Sequence, residues 1–110
     1  MTSSKEKLVV LFYEAGIREL QRALTALRGN QNSSAAGEAL GKAFSIVAEL
    51  KAALDMDAGG EIATNLDGLY TFVQGRITQA NRERMEQPII EAIDIMRKLK
   101  EGWDGILVSA

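Results

Sequence analysis

The chain has 110 residues, of which 46% are hydrophobic and 25% are charged, and its formal net charge is −2. This composition is typical of a soluble globular domain and shows no basic excess that would favour nucleic acid or an anionic membrane. The sequence contains neither cysteine nor histidine, so it lacks disulfides, thiolate sites and the commonest general base and metal ligand.

The first predicted helix begins at Ser3, where the Ser-Ser-Lys-Glu sequence up to Glu6 fits a capping box. We expect it to run to Arg28 and to stop at Gly29 and Asn30, which tolerate a left-handed turn. Its apolar residues recur at helical spacing and predict a core stripe of Val10, Tyr13, Ile17, Leu20, Leu24 and Leu27.

The second predicted helix opens after Asn32, Ser33 and Ser34 and ends near Leu54, with a stripe of Leu40, Ala43, Val47, Leu50 and Leu54. A third helix is predicted from about Gly60 to Asn81. Its expected inward residues are Ile62, Leu66, Leu69, Val73, Ile77 and Ala80.

The fourth predicted helix begins around Met85, because Pro88 is tolerated only in a first helical turn. Its stripe is Ile89, Ala92, Ile93, Met96, Leu99 and Trp103. No alternating β-branched run indicates a strand. The pattern therefore predicts one all-α domain over residues 1–110, an antiparallel up-down four-helix bundle. No run reaches the ~20 apolar residues of a membrane span, so we expect a cytoplasmic protein without membrane insertion.

The stretch "LDMDAGGE" raises the question of a calcium loop, with Asp55 and Asp57 at the first and third positions. The fifth position would be Gly59 and the twelfth Leu66, and neither supplies a carboxylate. The sequence instead favours a helix start, with the aspartates near its positive end and Gly59-Gly60 in the reversal between helices two and three. We expect no metal, no cofactor and no catalytic residue, because the inward stripes are apolar.

Three stretches carry a resemblance to a known family. The most specific is "LDMDAGGEIATNLDGLYTFVQGRITQAN" (54–81), and "EKLVVLFYEAGIRELQRA" (6–23) and "LKEGWDGI" (99–106) agree with it. They resemble the flagellar secretion chaperone family FliS. The resemblance implies a non-enzymatic cytoplasmic chaperone that binds the C-terminal segment of flagellin, prevents premature polymerisation and aids its delivery to the export gate. Family members usually carry a short N-terminal segment with a tyrosine, whereas in this sequence only Met1 and Thr2 precede the predicted helix cap at Ser3.

Two helical faces away from the core are candidates for the cargo surface. They carry small residues and glycines, which cost about 0.5–1 kcal/mol each inside a helix and permit close approach of another backbone. The alternative is that these faces pack on a neighbouring helix of the bundle or are neutral surface. The candidate residues are Phe44, Ala48, Ala52, Thr64, Gly68, Thr71, Phe72 and Gly75.

A second candidate surface is the apolar group Leu8, Leu11 and Ala15, which lies off the main stripe of the first helix. It fits cover by an N-terminal segment or by a second copy in a homodimer. The alternative is that the first helix is more deeply buried at its start. A helical interaction or self-assembly module without flagellin cargo is the competing function.

Overall fold

The computed structural model describes the backbone of residues 4–109 and the side chains of residues 6–105. Four helices follow one another: α1 (Ser4–Gly29), α2 (Ser34–Ala52), α3 (Met56–Glu83) and α4 (Gln87–Ser109). No strand occurs in the described backbone. The predicted all-α class is confirmed, and the largest difference in helix bounds is the start of α3, four residues earlier than expected.

The helix starts follow from local chemistry in the sequence. Ser33 caps α2, and its hydroxyl accepts a hydrogen bond from the Ala36 amide at 3.3 Å. The Asp55 carboxylate caps α3 in the same way, accepting from the Ala58 amide at 3.0 Å. Pro88 lies in the first turn of α4 as predicted, whereas the cap predicted at Ser3 lies outside the described residues.

The prediction that Gly59 and Gly60 lie at the reversal between helices two and three agrees with the contacts between α2 and α3. Lys51 pairs with Asp67, and a β-carbon on Gly37 would lie 3.3 Å from the Asn81 side-chain oxygen, so both pairings are centred on residue 59. Gly60 interrupts the helical backbone of α3 at this point and forms a kink, with φ 51° and ψ −126°. A β-carbon on Gly59 would lie 2.6 Å from the Ala63 β-carbon, so glycine at position 59 permits a close approach of the chain. Glycine at position 60 permits a backbone conformation that residues with a side chain disfavour.

Gly60→Ala is expected to destabilise the protein by about 1–3 kcal/mol, because alanine is strained at this φ and ψ. Gly102→Ala is the matched control. Gly102 is exposed in α4, and an added β-carbon meets no atom within 4 Å. This change is expected to stabilise by about 0.5–1 kcal/mol. Urea denaturation of both variants measures the difference, and equal stabilities would contradict the kink's dependence on glycine.

Contacts between the helices show that neighbours run antiparallel. The end of α2 meets the early part of α3 through Lys51 and Asp67, whose charged atoms are 3.8 Å apart. At the end of α1, the Arg28 Nε atom lies 2.7 Å from Glu86 Oε1, in the connection that leads into α4. Nearer the start of α1, Glu14 Oε1 lies 3.9 Å from the Lys100 Nζ atom in the second half of α4. Each helix packs on its chain neighbours, and α4 closes the bundle against α1. This is the up-down arrangement that the short connections favour.

The core consists largely of the predicted stripes, which are buried in α1, α2 and α4 except for the half-buried Leu24, Leu54, Leu99 and Trp103. In α3 the prediction is partly wrong. Ile62 is 72% exposed and Leu69 is 39% exposed, while Ala63 and Tyr70 are buried in their place. The physical reason is Tyr70, whose hydroxyl makes a buried hydrogen bond of 2.5 Å with the Tyr13 hydroxyl. Burying this pair turns Leu69 outward.

Candidate functional site

The outward face of α3 presents a continuous row of small residues. Their spacing of four, three, four and three residues places them on one side of the helix. All are exposed, and we call this row the α3 seam: Thr64, Gly68, Thr71, Gly75 and Thr78. A β-carbon added to Gly68 or Gly75 would meet no atom within 4 Å. For these two glycines, the alternative of packing on a neighbouring bundle helix is therefore wrong.

The threonine hydroxyls of the α3 seam are satisfied within the helix. Thr64 donates to the Gly60 carbonyl at 3.1 Å, Thr71 to the Asp67 carbonyl at 2.9 Å, and Thr78 to the Gln74 carbonyl at 3.0 Å. A partner that covers the seam consequently does not have to supply acceptors for these hydroxyl donors. The seam can take an apolar surface despite its polar composition. Thr78, which sequence reasoning missed, extends the heptad spacing of Thr64 and Thr71.

Two exposed aromatic side chains stand on the flanking sides of the bundle. Phe72 is 50% exposed, and its ring centroid lies 5.4 Å from the guanidinium carbon of Arg76. Arg76 in turn donates to Glu91 of α4 at 3.3 Å, which places Phe72 toward α4. Phe44 is 39% exposed and belongs to α2. The sequence-predicted residues therefore form a seam with one aromatic on each neighbouring side, and not a single pocket.

The α2 part of the predicted surface is less uniform. Ala48 is half-buried and Ala52 is exposed, and both follow Phe44 at intervals of four residues. A β-carbon on Gly37 would lie 3.3 Å from the Asn81 side-chain oxygen, whereas one on Gly41 would meet nothing within 4 Å. Of the four glycines Gly37, Gly41, Gly68 and Gly75, only Gly37 therefore packs against a neighbouring helix of the bundle.

The apolar side chains near the start of α1 are largely exposed to solvent. Leu8 is 54% exposed and Leu11 is 58% exposed, while Ala15 is half-buried beside the cleft between α1 and α2. The alternative that the first helix is more deeply buried at its start is therefore wrong. Two large aliphatic side chains within four residues make an apolar patch of the kind that marks interaction surfaces.

Many of the charged side chains of the described residues form ion pairs with one another at the surface. Glu19 is the buried charged residue, and the Arg22 guanidinium neutralises it at 2.8 Å. Residues 6–105 contain no group of three or more carboxylates placed to hold a metal ion. Within residues 4–109, no helix has an apolar stretch long enough to cross a bilayer. What the surface offers is shape and apolar contact, which suits binding to another polypeptide.

Comparisons with known proteins agree on one family. A family model described as flagellar protein FliS matches residues 1–110. The flagellar secretion chaperone FliS of Vibrio cholerae is 38% identical over 94% of this chain and 76% of its own length. FliSB of Pseudomonas aeruginosa is 34% identical over 94% of this chain and 82% of its own length. FliS of Salmonella typhimurium is 37% identical over 96% of this chain and 78% of its own length.

Proposed function

The chain belongs to the FliS family of flagellar secretion chaperones, and we propose that its cargo is the C-terminal segment of flagellin. It binds this segment in the cytoplasm, prevents premature polymerisation and delivers the subunit to the export gate. The observation that carries the proposal is the α3 seam. An exposed helix face with two interior glycines is unfavourable by about 0.5–1 kcal/mol per glycine for the isolated chain, and close packing of a partner segment explains its presence.

The seam fits an amphipathic helix of the cargo. Helices in contact are separated by 8–10 Å according to the side chains between them, and small residues permit the short end of this range. The 4-3-4-3 spacing matches the knobs-into-holes packing of an added helix. Phe72 toward α4 and Phe44 on α2, followed by Ala48 and Ala52, then contact segments of the tail that continue around the bundle. The binding residues are thus Phe44, Ala48, Ala52, Thr64, Gly68, Thr71, Phe72 and Gly75.

The exposed Leu8 and Leu11 favour the competing function, in which copies of this chain associate with one another. The same patch, with Ala15 at its edge, is also suited to cover by an N-terminal segment. Self-association through this patch makes the homodimer concentration-dependent, since the apolar area involved is small.

A synthetic peptide of the flagellin C-terminal segment tests the proposal directly. We expect a one-to-one complex in light scattering, and an increase in helical circular dichroism beyond the sum of the components, because the tail folds on binding. Light scattering of the chain alone over a concentration series serves as the control. Concentration-dependent oligomers without peptide binding would favour the self-assembly function and overturn the cargo proposal.

A further inference from the structure

All four helices contribute to an apolar pocket at the bundle end where α2 turns into α3. The pocket has a volume of about 250 Å³. We call it the end pocket; its lining includes Val9 of α1, Leu54 after α2, Ile62, Leu66 and Tyr70 of α3, and Trp103 of α4. It is distinct from the α3 seam, which lies along the outer side of α3.

The volume of the end pocket decides what kind of group it takes. Pockets for small molecules usually measure about 300–1,000 Å³, so this one is smaller than that class. One or two apolar side chains of a docked chain fit such a space, in the manner of an interface anchor. Ile62 at the pocket is 72% exposed, so an apolar anchor would also cover surface that now faces water.

The charges beside the end pocket are mainly acidic. Asp55 lines it, and Asp57 and Glu61 lie within two residues of its lining residues Asp55, Gly59 and Ile62, while the basic residues equally near a lining residue are Lys7 and Lys51. Among the described residues, neither Asp57 nor Glu61 has a cation within ion-pair distance. Lys51, the basic residue at the end of α2, is already paired with Asp67 at 3.8 Å. A complementary partner therefore brings positive charge beside its apolar anchor.

We propose that the end pocket anchors an aliphatic side chain of the flagellin tail that has a lysine or arginine next to it. The inference rests on the proposed function and adds the chemical feature of the cargo that this end of the bundle selects. The pocket selects the anchor by its apolar walls, and the acidic residues beside it favour the basic neighbour and disfavour an acidic one.

Trp103 provides a direct readout, because it is the one tryptophan of the chain and it lines the end pocket. The probe is a tryptophan-free peptide of the flagellin C-terminal segment. With the wild-type chain, binding is expected to shift Trp103 emission to shorter wavelength, since the anchor removes water from the indole. Replacing the basic residue of the peptide by glutamate should weaken binding and reduce this shift.

Two variants of the chain test the pocket itself. Ala53 is exposed at its mouth, so Ala53→Phe fills the entrance without disturbing the core. It should weaken peptide binding about tenfold or more and abolish the emission shift. Glu61→Lys should weaken binding about two- to fivefold, as for an exposed ion pair. Glu83→Lys, the same charge change at the far end of α3, should leave affinity unchanged.

The outcomes separate this inference from the proposed function. If the peptide binds the wild-type chain but Ala53→Phe keeps full affinity and Trp103 emission does not move, the end pocket is not an anchor site and the cargo proposal stands. If the peptide does not bind the wild-type chain at all, both proposals are overturned. Circular dichroism of each variant confirms that it retains the helical content of the wild type before its affinity is interpreted.

Discussion

Gly75→Leu is expected to weaken binding of the flagellin C-terminal segment by at least about tenfold, and Gly68→Leu to do the same. Leucine in the α3 seam forces the docked helix outward and removes its closest contacts, which are the ones that small residues permit. A loss of tenfold corresponds to about 1.4 kcal/mol. The double variant loses more than either single variant, because both glycines lie under the same docked segment.

Stability is expected to change in the opposite direction. An added side chain at either glycine meets no atom within 4 Å, so no clash opposes it. Leucine is also a better helix former than glycine, which favours the folded chain by about 0.5–1 kcal/mol per site. A variant that is more stable and yet binds more weakly cannot owe its lost affinity to misfolding.

Gly102→Leu is the matched control for the seam variants. Gly102 is an exposed glycine within α4, and an added β-carbon there also meets nothing within 4 Å. It should therefore show the same gain in stability and no loss of affinity. Isothermal titration calorimetry with the flagellin peptide and urea denaturation measure the two quantities. Unchanged affinity in both seam variants would remove this face from the binding site.

The helices were predictable from the sequence because their signals are local. Ser33, Asp55 and Pro88 each act within one helical turn, through a side-chain cap or a missing amide. Helical spacing likewise identified the buried stripes of α1, α2 and α4. Such features depend on residues three or four apart and therefore need no knowledge of the neighbouring helices.

The rotation of α3 depends on a partner 57 positions away in the chain, and spacing alone could not reveal it. A stripe through Leu69 and one through Tyr70 are both compatible with the periodicity. The hydrogen bond from Tyr70 to Tyr13 favours the second. The candidate site has the same limit: Gly37 and Gly68 look alike in sequence, but only Gly37 has Asn81 of a neighbouring helix beside it. Distinguishing a packed glycine from an open one requires the tertiary neighbours.

Tyr13→Phe is expected to destabilise the protein by about 2 kcal/mol, since it leaves the Tyr70 hydroxyl buried without its partner. Tyr70→Phe is expected to cost a similar amount, because it leaves the Tyr13 hydroxyl buried without its partner. The double variant Tyr13→Phe/Tyr70→Phe should be no less stable than Tyr13→Phe, since removing both hydroxyls leaves neither one buried without a hydrogen-bond partner. The two single effects are therefore not additive.

The same pair is expected to make stability fall at alkaline pH. Burial raises the pKa of Tyr13 and Tyr70 above the ordinary value of 10.0, and the Tyr13 hydroxyl raises that of Tyr70 further. Above pH 10 the unfolded chain loses these protons while the folded chain keeps them. The free energy of unfolding is therefore unaffected below pH 10 and declines above it, by at most about 1.4 kcal/mol per pH unit for each tyrosine.

Urea denaturation between pH 8 and about pH 11.5 measures this decline, with the double variant Tyr13→Phe/Tyr70→Phe as the control. The two proteins carry the same lysine and arginine residues, so the difference between their slopes belongs to the tyrosines. These are the two tyrosines of the chain, and their ionisation can also be followed by ultraviolet absorbance in the folded wild type. Equal slopes in the two proteins, or tyrosine absorbance that changes near pH 10 before unfolding, would contradict a buried pair. The expected result is a steeper loss of stability in the wild type, because burial favours the neutral hydroxyls on which the α1–α3 hydrogen bond depends.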